Sequence, residues 1–348
     1  MNILVTGGAG YLGSVLVPKL LVRGHKVRVL DIGYFGVEHL RAMRPAVEIV
    51  RDDIRRVLAD RALLEALLKD IDVVIHLSAI SNDPSSELNP TLTVEVNFQS
   101  TRDLALACKE RGIRFVFSSS CSVYGEANAE QDEEGTTNPL TVYAKSKVDS
   151  DEFLVSIADR NWRPAILRNG TLYGFSPRMR FDLVINIFSY TSTLYNELRV
   201  FGNGLQWRPF LHVADCARAF IHFAENPNHK HIMCNIAHEN LRVVDLIDVF
   251  KQINPKCMER FIELENPDNR NYHVSTARMR DEGIQPRVPV LAGAEEIVEA
   301  IVTGRIADPE AIYYRNAKWL KELTGLGSQD HRGLMGMLDM IASSRAVR

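Results

Sequence analysis

The sequence predicts a doubly wound parallel α/β sheet that carries a smaller, interleaved C-terminal lobe. Three observations carry that prediction. Short apolar runs alternate with helix-length segments from Asn2 to Arg168. A glycine cluster follows the first run directly. The alternation stops after Gly174, where segments become shorter and richer in Arg, Pro and Asn. Strands that alternate with helices form a parallel sheet with helices on both faces.

The elements follow in order. Asn2 to Thr6 is the kind of apolar run a buried parallel strand needs. Ser14 to Arg23 reads as a helix ended by Gly24, and Lys26 to Asp31 as the second strand. Val47 to Arg51 is a third strand, Leu58 to Lys69 a helix and Asp72 to Leu77 a fourth strand. Thr91 to Arg111 reads as one long helix before a fifth strand, Arg114 to Ser118. Tyr143 opens a helix that runs to about Ala158, and Pro164 to Arg168 is a sixth strand. Beyond Gly174, Val213 to Ala224 and Val243 to Ile253 read as helices, and Tyr313 to Leu323 as a partly amphipathic one. No repeat or linker separates the two parts. Residues 1–174 are therefore expected to form the sheet domain, with 205–240 returning to it. Residues 175–204 and 241–348 are expected to form the second lobe and the C-terminal helices.

Composition narrows the function. A chain of 348 residues suits one large α/β unit or two domains. The net charge of −3 offers no basic excess for nucleic acid. The five cysteines are scattered, without CxxC spacing, and read as free thiols in a reducing compartment; no metal is expected. The N-terminus begins directly with a strand and a turn, and no apolar run is long enough to span a bilayer. A soluble, cytoplasmic protein without a membrane partner is the expectation.

Gly7, Gly10 and Gly13 make GxxGxxG between the first strand and the first helix. Glycine permits a tight turn and close backbone approach to a pyrophosphate, and the helix N-terminus offers free N–H groups. Asp31 ends the second strand, where a carboxylate accepts hydrogen bonds from an adenosine ribose and repels a 2′-phosphate. The expected cofactor is therefore NAD rather than NADP. Asp53 and Ile54 follow the third strand, where they can bracket the adenine.

Tyr143 and Lys147 form YxxxK within TVYAKSK, on one face of a helix. A phenol is a poor base at neutral pH, but a nearby ammonium and a positive nicotinamide both favour the phenolate. Upstream, FVFSSSCSVYG at 115–125 places serines at the end of the fifth strand, where open α/β sheets bind ligands. Ser120 is placed there to share a proton with Tyr143.

Together these residues resemble the extended short-chain dehydrogenase/reductase family, in its nucleotide-sugar epimerase and dehydratase branch, on a Rossmann-type fold. The resemblance runs from Met1 to about Pro289. It rests on the glycine motif, HLSA at 76–79, VNFQST around Asn97, SSSCSVYG, YAKSK, RNGTLYG at 168–174 and RPFLHVAD at 208–215. It implies that Gly7, Gly10, Tyr11, Leu12 and Gly13 hold the NAD pyrophosphate and Asp31 its ribose. Leu77, Ser78, Ala79, Asn97, Ser118 and Asn169 are implied to line the cofactor, with Lys147 on the nicotinamide ribose. Ser120, Tyr143 and Lys147 become the catalytic set. Ser81, Asn82, Ser120 and Thr171 face the sugar nucleotide, and Arg208 and Arg270 grip its diphosphate, a role that suits guanidinium. The family also implies a homodimer built through the helices that start near Thr91 and Tyr143.

Departures from the family pattern refine this. The 4,6-dehydratases read Thr-Asp-Glu where this chain has Ser120, Cys121 and Ser122. UDP-galactose 4-epimerases read SSSATVYG, a closer match. Cys121 is either a buried small apolar residue or an acid/base thiol beside the sugar. Pro209 replaces an Asp common among relatives, and Trp207 adds an aromatic surface. The expected activity is epimerisation of a nucleoside-diphosphate sugar by transient oxidation at C4. The alternatives are a C4 dehydrogenase or 4-keto reductase, a dehydratase using Cys121, and a non-catalytic NAD-binding scaffold.

Overall fold

The computed structural model describes residues 1–263 and 269–325. The chain runs through β1 (Asn2–Thr6), β2 (Lys26–Asp31), β3 (Val47–Arg51), β4 (Val73–His76), β5 (Arg114–Ser120), β6 (Ala165–Asn169) and β7 (Thr171–Tyr173). It continues through β8 (Glu197–Phe201), β9 (Trp207–His212), β10 (Met233–Ile236), β11 (Glu239–Arg242) and β12 (Met258–Ile262). Among the described residues, seven strands form one sheet in the order β10-β6-β5-β4-β1-β2-β3. Every pairing in it is parallel.

The sequence dictates this by alternation. Ile3 and Val5 point into one core, with Leu16, Leu20 and Phe220. Leu4 points into the other, with Val74, Leu104 and Phe117. Strands buried on both faces read as continuous apolar runs, as VVIH of β4 does. Each fully buried Leu, Ile or Phe contributes about 1.5–3 kcal/mol. Helix Val213–Glu225 lies against helix Gly13–Val22 and strands β4 to β6. The strand order reverses beside β1, so the ends of β1, β4 and β5 open the crevice where such sheets bind ligands.

A second core belongs to the lobe, where Phe188, Leu198, Val200, Phe210 and Phe250 meet. Two small sheets serve it, β11-β9-β7 and β12-β8. These strands are short and most carry an Arg among their apolar residues, which hid them from apolar-run reading. The segment 205–240 divides: β9 pairs in the small sheet, whereas β10 extends the large one. Residues 326–348 of the expected lobe lie outside the described residues.

Two expected helices differ in detail. The run Leu58 to Lys69 is two helices, Ile54–Ala59 and Arg61–Leu68. Asp60 breaks it because its carboxylate accepts from the Ala62 and Leu63 N–H groups and caps the second helix. The run Thr91 to Arg111 contains a π turn over Glu95–Gln99 between helices Pro90–Val94 and Ser100–Glu110. That wide turn buries the Asn97 side chain completely. No helix among the described residues is long and apolar enough to cross a membrane.

His76 closes β4 inside the core. Thr6 Oγ1 lies 2.6 Å from its Nδ1 and Thr101 Oγ1 2.9 Å from its Nε2. Burial, with Lys147 nearby, pushes its pKa down to about 3, so the ring stays neutral. The unfolded chain takes up that proton below about pH 6.5. Stability is therefore lost as pH falls from there towards the folded value. Replacing this group by His76→Gln should flatten the slope of unfolding free energy against pH in that window, read by urea melts at stepped pH. An unchanged slope would assign acid sensitivity to other groups.

Candidate active site

The glycine turn is built by close contact. Gly7 adopts φ +69°, and a Cβ there would sit 2.8 Å from the Ser78 nitrogen. A Cβ on Gly13 would sit 2.5 Å from the Gly8 carbonyl oxygen. Gly10 differs, because a Cβ there would meet only the Gly7 carbonyl and otherwise project into open space. That space is a cavity of about 1330 Å³ walled by Gly7, Gly10, Tyr11, Leu12 and Gly13 at one end. It exceeds the usual size for one small ligand, about 300–1,000 Å³, and is continuous with the catalytic residues.

Asp31 also lines this cavity. Its Oδ2 accepts from the Ala9 N–H at 3.0 Å and its Oδ1 from the Gly33 N–H at 2.8 Å. Burial raises its pKa, while those N–H groups and the Arg178 and Arg51 charges oppose the rise. The residue proposed for the ribose is thus also the strut of the glycine turn. Asp53 caps helix Ile54–Ala59 and pairs with Arg55 at 2.7 Å; Asp53 and Ile54 wall the same end. Leu77, Ser78 and Ala79 continue the wall. A turn whose missing side chain leaves a cradle, beside a carboxylate and a helix N-terminus, fits a dinucleotide.

The helix Val142–Ser156 places Tyr143 and Lys147 one turn apart, started by Thr141, whose hydroxyl accepts from the Ala144 N–H at 3.1 Å. Tyr143 and Ser120 both line the cavity, and the Ser120 hydroxyl acts to lower the Tyr143 pKa. Burial pushes that pKa up to about 12, against the Ser120 hydroxyl and the Arg180 and Arg270 charges. Lys147, expected on the nicotinamide ribose, does not line the cavity but lies one layer behind. Its Nζ donates to the Ser118 carbonyl at 2.7 Å and sits 5.8 Å from the centre of the Tyr143 ring. Burial pushes it down to about 8, opposed by Asp151. Asn169 donates to the Ser118 hydroxyl at 3.0 Å, so strand ends β5 and β6 are stitched at the wall.

Two further sequence expectations need correction. Cys121 turns away from the cavity into a cluster with Val123, Tyr124 and Tyr272. Its thiol donates to the Arg168 carbonyl at 3.1 Å, and burial pushes its pKa up, so it is no acid/base group at neutral pH. Asn97 stands behind the wall. It accepts from the Ile80 N–H at 2.8 Å and donates to the Ser146 hydroxyl at 3.1 Å, which ties the loop after β4 to the Tyr143 helix. It positions the site rather than touching its contents.

Ser81, Asn82, Thr171, Arg208 and Arg270 line the far half of the cavity. Arg208 donates to the Trp207 carbonyl at 2.8 Å and to the Arg270 carbonyl, with its guanidinium 5.5 Å from the Tyr272 ring centre. Arg270 is held by Asp83. Sequence reading missed Arg178 and Arg180, both buried and both in the wall. Arg180 pairs with Asp182 at 2.9 Å and donates to the Ser81 hydroxyl at 3.3 Å. Tandem arginines in SPRMRFD were the available signal, but burial of a guanidinium is invisible in sequence. The C-terminal segment around Asn316 also reaches the wall and was missed.

Residues 3–237 match the model of the NAD dependent epimerase/dehydratase family. A putative UDP-glucose 4-epimerase of Methanocaldococcus jannaschii is 35% identical, over 62% of this chain and 71% of that protein. A UDP-N-acetyl-alpha-D-glucosaminuronate decarboxylase of Bacillus cytotoxicus is 30% identical, over 63% of this chain and 69% of that protein. The solved UDP-glucuronic acid 4-epimerase of Bacillus cereus, in complex with UDP-glucuronic acid and NAD, is 28% identical with a TM-score of 0.75. That match covers 87% of this chain and 99% of the solved one. Decarboxylation is a branch that sequence reading had not weighed.

The Cys121→Ala variant should keep turnover within about threefold of the parent, because a small buried residue packs as well there. A loss of two orders of magnitude would restore the thiol to the chemistry. For Asp31→Ala, calorimetry should show NAD affinity falling by about tenfold or more, with sugar-nucleotide affinity less affected. Equal weakening of both would count against the ribose assignment.

Proposed function

Since the chain belongs to the NAD-dependent epimerase/dehydratase family, we propose that it is a nucleotide-sugar epimerase acting by transient oxidation at sugar C4. NAD is the cofactor of this family of nucleotide-sugar epimerases, decarboxylases and dehydratases. The observation that carries the proposal is Tyr143 and Ser120 facing one cavity, with Cys121 and Ser122 where an eliminating enzyme needs two carboxylates.

Bound NAD supplies a hydride acceptor that returns the hydride later, and a positive ring. The chain's own residues move the proton. Ser120 holds the reacting sugar oxygen beside Tyr143. Tyr143 must lose its proton to act as base, and burial and the Asp83 charge oppose that. The Ser120 hydroxyl and the Arg180 and Arg270 charges act in favour. Lys147 holds the Ser118 carbonyl, and so the end of β5, in register with Tyr143. The phenolate takes the hydroxyl proton as hydride leaves the same carbon, and returns it after the ketone has presented its other face. Mass and cofactor are unchanged over the cycle.

We assign the sugar nucleotide to the lobe, to which β9 belongs, with Arg208 and Arg270 on its diphosphate. The sheet domain, with β10 and helix Val213–Glu225, takes NAD. Ser81, Asn82 and Thr171 complete the sugar pocket. We also assign a homodimer through the helices that start near Thr91 and Tyr143, with a soluble, cytoplasmic setting.

A panel of UDP-, dTDP-, GDP- and CDP-sugars, with UDP-glucuronic acid among them, tests the proposal without added cofactor. The expected product is an isomer of equal mass with no net NADH. A product lighter by carbon dioxide or by water, or accumulating NADH, would replace it with decarboxylation, dehydration or net oxidation. Tyr143→Phe should lose about 10²–10⁴-fold in kcat while still binding NAD. Turnover unchanged in that variant would remove the mechanism.

A further inference from the structure

The described chain does not end at the lobe. After helix Val290–Val302 it returns to the cavity, and residues 310–320 cross it. This stretch lies outside residues 3–237, which match the family model. Three anchors hold it. At its start, Glu310 accepts from the Tyr190 and Tyr195 hydroxyls, on the helix Val184–Tyr195 of the sugar side. The Arg315 guanidinium then lies 5.0 Å from the Tyr190 ring centre.

The middle anchor is Asn316, which is 4% exposed. Its amide donates to the Ser81 hydroxyl at 3.2 Å and accepts from Arg178, while its backbone N–H donates to Asp182 at 3.2 Å. The last anchor is the helix Asn316–Gly325. Trp319 and Leu323, one turn apart, are its buried face and pack with Tyr34, Phe35, Tyr313 and Leu320. The Trp319 indole N–H donates to the Tyr34 carbonyl at 2.6 Å. Tyr34 stands three residues after Asp31, in the loop beside the proposed ribose position. From this side Ala317, Lys318 and Leu320 face the cavity, across from Asp53 and Ile54.

We infer that residues 310–325 are a strap that closes the dinucleotide into the cavity and holds it there through turnover. The inference deepens the transient-oxidation reading and rests on it, because such an enzyme must keep the reduced cofactor until the hydride is returned. The geometry suits this task. One continuous segment is pinned to the sugar-side helix, to the loop after β4 and to the loop after β2, so it spans both halves of the site. Release of a ligand lying between Gly10 and Asp31 would require the last anchor to lift. That anchor is one tryptophan, one leucine and one indole hydrogen bond.

The test uses the full chain. NADH is bound, excess NAD is added, and release is followed by nicotinamide fluorescence in the absence of any sugar nucleotide. Trp319→Ala should release NADH about tenfold faster or more, since tightness is set mainly by release rates. Lys321→Ala, on the exposed face of the same helix, should not change the rate. Release from Trp319→Ala at the parental rate would overturn the strap. In the unaltered protein, amide hydrogen exchange across residues 316–325 should slow when NAD is added. Equal exchange with and without NAD would overturn the strap as well, whether or not the variant folds. Neither readout involves the sugar product, so the strap and the epimerase reading stand or fall separately.

Discussion

Everything in the site is measured from the approach of the Gly7–Gly13 turn to the end of β4. A side chain at Gly7 would collide with the Ser78 backbone, and one at Gly13 with Gly8. The turn therefore lies as close to its neighbours as backbone allows, and Asp31 clamps it from the β2 side through the Ala9 N–H, with its other oxygen held by the Gly33 N–H. Three strand ends meet around it at the point where strand order reverses. The first helix starts directly beside the resulting space. A side chain at Gly7 or Gly13 would push the turn off its neighbours, whereas one at Gly10 would enter the space a dinucleotide must occupy.

Behind the cavity lies a second layer of buried charge. Lys147 reaches the Ser118 carbonyl, and Asp151 follows one turn later on the same helix. Asp151 pairs with Arg168 at 2.9 Å, both almost wholly buried, and Arg168 donates to the Tyr124 hydroxyl at 3.0 Å. A buried ion pair is weak evidence for net stability, since desolvation offsets much of the attraction. Its effect here is geometric. It fixes the Tyr143 helix against β6, and the Cys121 thiol is bonded to the carbonyl of the same arginine. The residue that looked like a catalytic candidate is part of this frame.

The first half of the chain was legible because its inner strands are buried on both faces, so β1 and β4 appear as apolar runs, and β2, β3 and β5 keep most of that character. Gly7, Asp31, Ser120 and Tyr143 were legible because their spacing tracks the strand ends that carry them. Cys121 and Asn97 sit inside matching motifs, and spacing cannot say which way a side chain turns. Arg178, Arg180 and Asn316 were invisible for another reason. Their place in the wall depends on contacts across the fold: Arg178 with Asn316, and Arg180 with Ser81. The lobe strands β7, β8, β9, β11 and β12 mix polar and apolar residues, and strands of three to six residues carry little periodic signal.

The π turn at Glu95–Gln99 limits how this chain can vary in length. A π turn holds one residue more than the α-helix around it would. Deleting one residue there would restore a regular helix with its later faces in place, at the expense of the Asn97 contacts to Ile80 and Ser146. Deleting one at the start of helix Ser100–Glu110 would instead rotate every later side chain by about 100°. Leu104, Ala105 and Cys108, all fully buried, would then swing out of the core. A change of length in this stretch therefore costs the site when it falls in the π turn and the core when it falls after it.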